Sequence, residues 1–172
     1  MKSQRLLFVG DSLIEYFDWQ AEFPEHDVMN SGIAGETVSG LLNRAERIID
    51  QAGQPDWFLI MSGTNNIIME DYFFIQVYER IIQSFLNAFP EAVIVVNSLM
   101  PFRIPWLSRT AIPRMNSSLR ELSRKTGTDF LDVFDLFINE QDTRETPLFL
   151  PDGVHLNETG YRVWSDAVAG KM

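Results

Sequence analysis

The chain has 172 residues, 45% of them hydrophobic and 12% aromatic, enough for one domain with a sizeable core that needs no metal or crosslink. It has no cysteine, which excludes disulfides and thiolate metal sites and leaves only O and N ligands open to a metal. A formal net charge of −10, from 14 Lys and Arg against 24 Asp and Glu, argues against nucleic acid or an anionic membrane as partner, since both bind through clustered basic residues.

In chain order, the opening Met1-Lys-Ser-Gln-Arg5 has the charge of a signal n-region, but the apolar run Leu6 to Val9 is far too short to follow it as one, so a cytoplasmic protein is expected. That run reads as a first strand, ending at Gly10-Asp11-Ser12. A weaker strand, Asp27 to Asn30, leads into Asn30-Ser-Gly-Ile-Ala-Gly-Glu-Thr37. Val38, Leu41, Leu42, Ala45, Ile48 and Ile49 then repeat at helical spacing. The strand Trp57 to Met61 runs into Ser62-Gly-Thr-Asn-Asn66, and a second amphipathic helix carries Val77, Tyr78, Ile81, Ile82, Phe85, Leu86 and Phe89. After the strand Ala92 to Val96, the segment Pro101 to Pro113, with Phe102 and Trp106, reads as a long ordered loop. A helix from about Arg114 to Lys125 precedes a weak strand, Asp129 to Val133. Leu150-Pro-Asp-Gly-Val-His-Leu156 stands before a last helix with Tyr161, Trp164, Ala167 and Val168 on one face. No apolar run approaches the roughly 20 residues that span a bilayer, so no membrane insertion is expected. Apolar runs rich in Val, Ile and Phe suit strands covered on both faces, and their alternation with helices predicts a parallel α/β sheet in a single domain over residues 1–172.

In such sheets ligands bind beyond the carboxyl ends of the strands, where these polar segments converge. A serine hydroxyl needs a positioned base, and the oxyanion formed on attack needs donors already aimed at it. Of the two histidines, His26 lies in a charged turn before a strand and reads as an exposed residue without a role. His155 lies on the reactive edge. Asp152 can accept its Nδ1 proton and turn Nε2 toward Ser12. The backbone N–H of Ser12, the N–H of Gly35 and the side-chain amide of Asn65 are the natural donors. Each has a plainer reading: Ser12 as a helix cap, Gly35 as a turn residue, Thr37 as an N-cap, Asn65 and Asn66 as loop satisfiers, Asp152 as a cap of the final turn. Their conjunction on four separate loops favours chemistry.

Gly10-Asp-Ser-Leu13 resembles the first block of the GDSL or SGNH hydrolases, Gly35 in Gly32-Ile-Ala-Gly-Glu-Thr37 the second, Gly63-Thr-Asn-Asn66 the third, and Asp152-Gly-Val-His155 the fifth. The third block often reads Gly-x-Asn-Asp, and Asn66 departs from it while leaving Asn65 intact. The resemblance implies a flavodoxin-like three-layer α/β/α fold around a five-stranded parallel sheet. It also implies a serine esterase with a triad of Ser12, His155 and Asp152, an oxyanion hole from Ser12, Gly35 and Asn65, and no metal or organic cofactor. Gly-Ile-Ala-Gly-Glu-Thr and Gly-Thr-Asn-Asn are similar to the catalytic subunits of intracellular platelet-activating-factor acetylhydrolases, which cleave short acyl esters and pair as dimers. A small-molecule ester (short acyl ester, lysophospholipid or thioester) and a homodimer are therefore the expected partners. Asp11, Asn66, Phe102, Trp106, Phe149 and Leu150 are the candidate substrate contacts.

Two other classes compete. A metallophosphoesterase would take Asp11, Asn65 and His155 as ligands, but two-metal sites draw on more histidines than this chain has. A phosphate- or nucleotide-binding module of flavodoxin-like fold should have a loop richer in glycine or a Lys where Asp11 stands, and full retention of the triad and hole speaks against a domain that kept the fold for partner binding and lost activity.

Overall fold

The computed structural model describes residues 3–143 and 147–172. Strands β1 (Arg5–Gly10), β2 (Asp27–Gly32), β3 (Trp57–Met61), β4 (Val93–Asn97) and β5 (Asp129–Leu131) form one parallel sheet in the order β2-β1-β3-β4-β5. The order reverses beside β1, so the ends of β1 and β3 border the crevice where such sheets bind ligands.

Alternation along each strand divides the core. Leu7, Val9, Phe58, Ile60, Ile94 and Val96 face α3 (Val38–Ala52), α5 (Ile75–Ala88) and α6 (Ala111–Thr126), whose Leu41, Ile48, Ile81, Phe85 and Leu119 complete one apolar layer. Leu6, Phe8, Trp57, Leu59 and Val95 face the other side. There they meet Trp19 of α2 (Trp19–Glu22), Phe137 of α7 (Phe134–Thr143), and Tyr161, Trp164 and Val168 of α8 (Glu158–Ala169). Phe8 stacks on Trp19 at 4.2 Å, and Trp164 meets Trp19 edge-on at 5.0 Å. This is the three-layer α/β/α sandwich expected for SGNH hydrolases. Two short helices, α1 (Ser12–Glu15) and α4 (Thr64–Ile68), open directly from the ends of β1 and β3.

Four details differ from the sequence expectation. The central strands are covered on both faces, but β2 and β5 are edges and only half-covered. β5 stops at Leu131 because Asp132 and Ser98 turn the chain into a helix start: Asp132 Oδ1 accepts the N–H of Phe134, and Ser98 Oγ accepts those of Val133 and Phe134. The helix that follows, α7, was not expected, since its apolar face is carried by few residues. The loop after β4 ends at Thr110 rather than Pro113, which sits in the first turn of α6, where a missing N–H costs nothing. No helix among the described residues is long and apolar enough to cross a membrane.

Candidate active site

Asp11, the residue after β1, caps α1: its Oδ1 accepts the Leu13 N–H at 3.1 Å. Ser12 is therefore not the cap but the first helical residue, with a backbone N–H that no group among the described residues accepts. Its side chain is 7% exposed, and Oγ lies 3.0 Å from His155 Nε2 across 143 residues of sequence. His155 Nδ1 lies 2.7 Å from Asp152 Oδ2. Asp152 Oδ1 accepts the N–H groups of Val154 at 2.9 Å and His155 at 3.0 Å. Burial pushes the Asp152 carboxyl up, but the His155 ring and these two N–H donors prevail and hold it at about 2. It is thus a fixed negative charge at every pH at which an imidazole could serve as base. The plain and the chemical readings of Asp152 coexist: one oxygen shapes the turn, the other holds the ring.

The facing wall is the turn after β2. Gly35 adopts φ +75°, a left-handed conformation suited to glycine, and its N–H has no acceptor among the described residues. The turn is pinned from three sides. Ala34 N–H donates to Glu15 Oε2 at 2.7 Å, Asn65 Nδ2 donates to the Glu36 carbonyl at 2.9 Å, and the Glu36 carboxylate receives the Arg44 guanidinium through two bonds of 2.6 Å. Arg44 also reaches the Ser31 carbonyl at 2.8 Å and the Ser31 hydroxyl at 2.9 Å. The Arg44 and Glu36 side chains are 9% and 8% exposed. Asn65 keeps a second amide hydrogen after serving Glu36.

Beneath the serine, Asp11 is fully buried, and burial pushes its carboxyl up to about 6 against the Leu13 N–H and the nearby Thr64 hydroxyl. Thr64 tempers the charge without hydrogen-bonding geometry, so Asp11 Oδ2 and Thr64 Oγ1 both lack a partner, as does Ser62 Oγ. A carboxyl raised in the folded state from 3.8 to about 6 stabilises the fold below its unfolded value and loses that contribution as pH rises through about 6. Asp11→Asn keeps the cap oxygen and removes the charge. The variant should gain relative to the parent between about pH 4 and 6, by on the order of 3 kcal/mol at the upper limit. Urea unfolding at stepped pH measures the gap, and an identical pH dependence in both proteins would contradict the assignment.

The remaining sequence candidates divide. Asn66 is buried, accepts the Val38 N–H at 2.9 Å and donates to Asp71 at 2.7 Å, so it braces α3 and is not placed to touch a substrate. Asp11 is likewise a buried cap, and Phe102 is a core residue. Trp106 is 62% exposed. Phe149 leans on Phe137 at 5.8 Å, while the exposed Leu150 donates its N–H to the His155 carbonyl at 2.7 Å. Thr37 is the N-cap of α3. His26 is half-buried rather than exposed, and its Nδ1 accepts the Gln4 N–H, a bond that ties the chain before β1 to the turn before β2. Among the described residues no three His, Asp or Glu side chains gather as a metal-ligand set. Sequence reasoning missed Glu15, Glu36, Arg44 and Tyr16, whose ring lies 5.5 Å from that of His155. Arg44 had a signal: it stands between Leu41 and Ile48 on the stripe that should be apolar.

Residues 8–163 match the GDSL-like lipase/acylhydrolase family. Among solved structures, the chain is similar to a Streptococcus pneumonia protein provisionally named a platelet activating factor, with 26% identity, a TM-score of 0.81, and coverage of 98% of this chain and 84% of that one. It is also similar to Axe2, an acetylxylan esterase from Geobacillus stearothermophilus, with 24% identity, a TM-score of 0.78, and coverage of 99% and 96%. LAE5, an alpha/beta hydrolase enzyme from the metagenome of Lake Arreo, Spain, matches with 18% identity, a TM-score of 0.78, and coverage of 99% and 95%. No curated protein matches the chain.

Proposed function

We propose that this chain, which belongs to the GDSL-like lipase/acylhydrolase family and is a serine hydrolase acting on ester bonds, cleaves short-chain carboxylic esters through a triad of Ser12, His155 and Asp152 and a covalent acyl-enzyme. The carrying observation is the relay from Ser12 Oγ to His155 Nε2 at 3.0 Å and from His155 Nδ1 to Asp152 Oδ2 at 2.7 Å.

Neutral His155 takes the Ser12 proton as Oγ attacks the ester carbonyl, and Asp152 stabilises the imidazolium that results. The carbonyl oxygen becomes an oxyanion between the unsatisfied N–H groups of Ser12 and Gly35 and the free amide hydrogen of Asn65. His155 hands its proton to the departing alkoxide. A water molecule then loses a proton to His155 and attacks the acyl group, and Ser12 leaves reprotonated. An acyl ester of small size agrees with the acetylxylan ester named for Axe2. No metal or organic cofactor enters these steps.

A fluorophosphonate probe tests the reading. The expected adduct forms on the peptide containing Ser12, and hydrolysis of p-nitrophenyl acetate falls in proportion to labelling. A stoichiometric adduct on another serine with activity intact would overturn it.

A further inference from the structure

Between Glu91 and Glu121 the chain carries Arg103, Arg109, Arg114 and Arg120 and no acidic residue, in a protein whose net charge is −10. Arg120 pairs with Asp132, but among the described residues neither Arg103 nor Arg109 has an ion-pair or side-chain hydrogen-bond partner. Both line a cavity of about 550 Å³ whose other walls include Phe102, Leu107, Phe134 and Ile138. A second cavity, of about 220 Å³, shares Pro101, Arg103 and Ile138 with the first and continues to Phe149, Leu150 and Gly153. No carboxylate of a described residue lines either one.

These cavities abut the catalytic loop. The Arg103 N–H donates to the Gly153 carbonyl at 2.8 Å, and Gly153 lies between Asp152 and His155. Gly153 adopts φ +74°, and a Cβ there would stand 2.4 Å from the Arg103 carbonyl oxygen, so only glycine lets the two segments touch. The groove is thereby fixed in place relative to the triad. Apolar walls with two guanidiniums that have no acidic partner among the described residues suit a ligand that is partly hydrocarbon and partly anionic, because guanidinium matches carboxylate and phosphate geometry.

We infer that the preferred substrates are esters that also bear a carboxylate or phosphate, whose apolar portion lies along the groove lined by Leu107, Phe134 and Phe149 while Arg103 and Arg109 receive the anion. This rests on the ester-hydrolase reading above and names the class of ester. Arg103 and Arg109 touch no group of the triad or the oxyanion hole, so neutral esters measure the chemistry without them.

The test compares kcat/KM for mono-p-nitrophenyl adipate with that for its neutral methyl ester, and for 1-butyrylglycerol 3-phosphate with that for 1-butyrylglycerol. The wild-type protein should favour at least one anionic member by roughly tenfold, through KM, with the preference shrinking in salt. Arg103→Gln combined with Arg109→Gln should erase the preference and leave neutral-ester turnover unchanged. The adipate and phosphate arms tell which anion the groove takes. Neutral esters cleaved with no anionic preference, or a preference that survives in the double variant, would overturn the inference and leave the hydrolase reading standing. Where neither ester turns over, calorimetry with monomethyl adipate and with glycerol 3-phosphate still decides: binding by the parent and not by the double variant supports the groove, and equal or absent binding overturns it.

Discussion

Ser12→Ala should abolish ester hydrolysis, with kcat on p-nitrophenyl acetate falling by at least ~10⁴-fold, because in the proposed mechanism Ser12 is the group that attacks the carbonyl. Loss of the nucleophile alone in a comparable triad costs about as much as loss of all three members, leaving only what the oxyanion donors and binding supply. The fold should not notice. Ser12 Oγ is hydrogen-bonded to His155 and to nothing that holds the backbone, the cap of α1 belongs to Asp11, and alanine suits a first helical turn. Initial rates at pH 8 beside thermal unfolding of both proteins check this. A variant that folds normally and keeps more than a tenth of the parent rate would remove Ser12 from the mechanism.

Arg44→Met should cost about 3–5 kcal/mol of stability, since it leaves the Glu36 carboxylate buried without its partner. The loss should be conditional. Arg44→Met combined with Glu36→Leu removes both charges and should recover much of it, because an apolar pair of similar volume is often no worse than a buried ion pair. Urea unfolding of the parent, both single variants and the double variant gives the coupling directly. Additive losses would mean that the two side chains act separately. The same cycle run on kcat reports on the turn that presents the Gly35 N–H, and the double variant should regain stability more completely than turnover. Its apolar pair fills the space but no longer holds the Ser31 carbonyl, on which Arg44 closes the turn at 2.8 Å.

How much was legible in the sequence follows from what each feature depends on. The central strands and α3, α5, α6 and α8 announce themselves through apolar periodicity, which is local. The polar segments after β1, β2 and β3 could be placed on one edge because a parallel sheet leaves them nowhere else to go. What escaped notice is tertiary. The bond from Asn65 to Glu36, the brace from Asn66 to Val38 and Asp71, and the unaccepted N–H of Gly35 depend on loops meeting in space. The short β5 and the α7 start depend on Ser98, thirty-five positions before Val133. Phe102 and Trp106 read alike as loop aromatics, yet one is in the core and the other in solvent, a difference no spacing rule encodes. Arg44 is the exception that could have been caught, since a charge on an apolar helical stripe needs a buried partner.

The proposed nucleophile and base lie 143 positions apart, and α8 ties their neighbourhoods together: the Tyr161 hydroxyl donates to the Leu13 carbonyl at 3.0 Å, and the Trp164 indole donates to Asn97 at 3.1 Å. All five strands precede His155 in the sequence, so a ribosome has made Ser12, the Gly35 turn and the whole sheet before it makes the proposed base. On the proposed mechanism, a sheet already complete in all its strands still lacks its base until the segment carrying His155 is made and α8 docks.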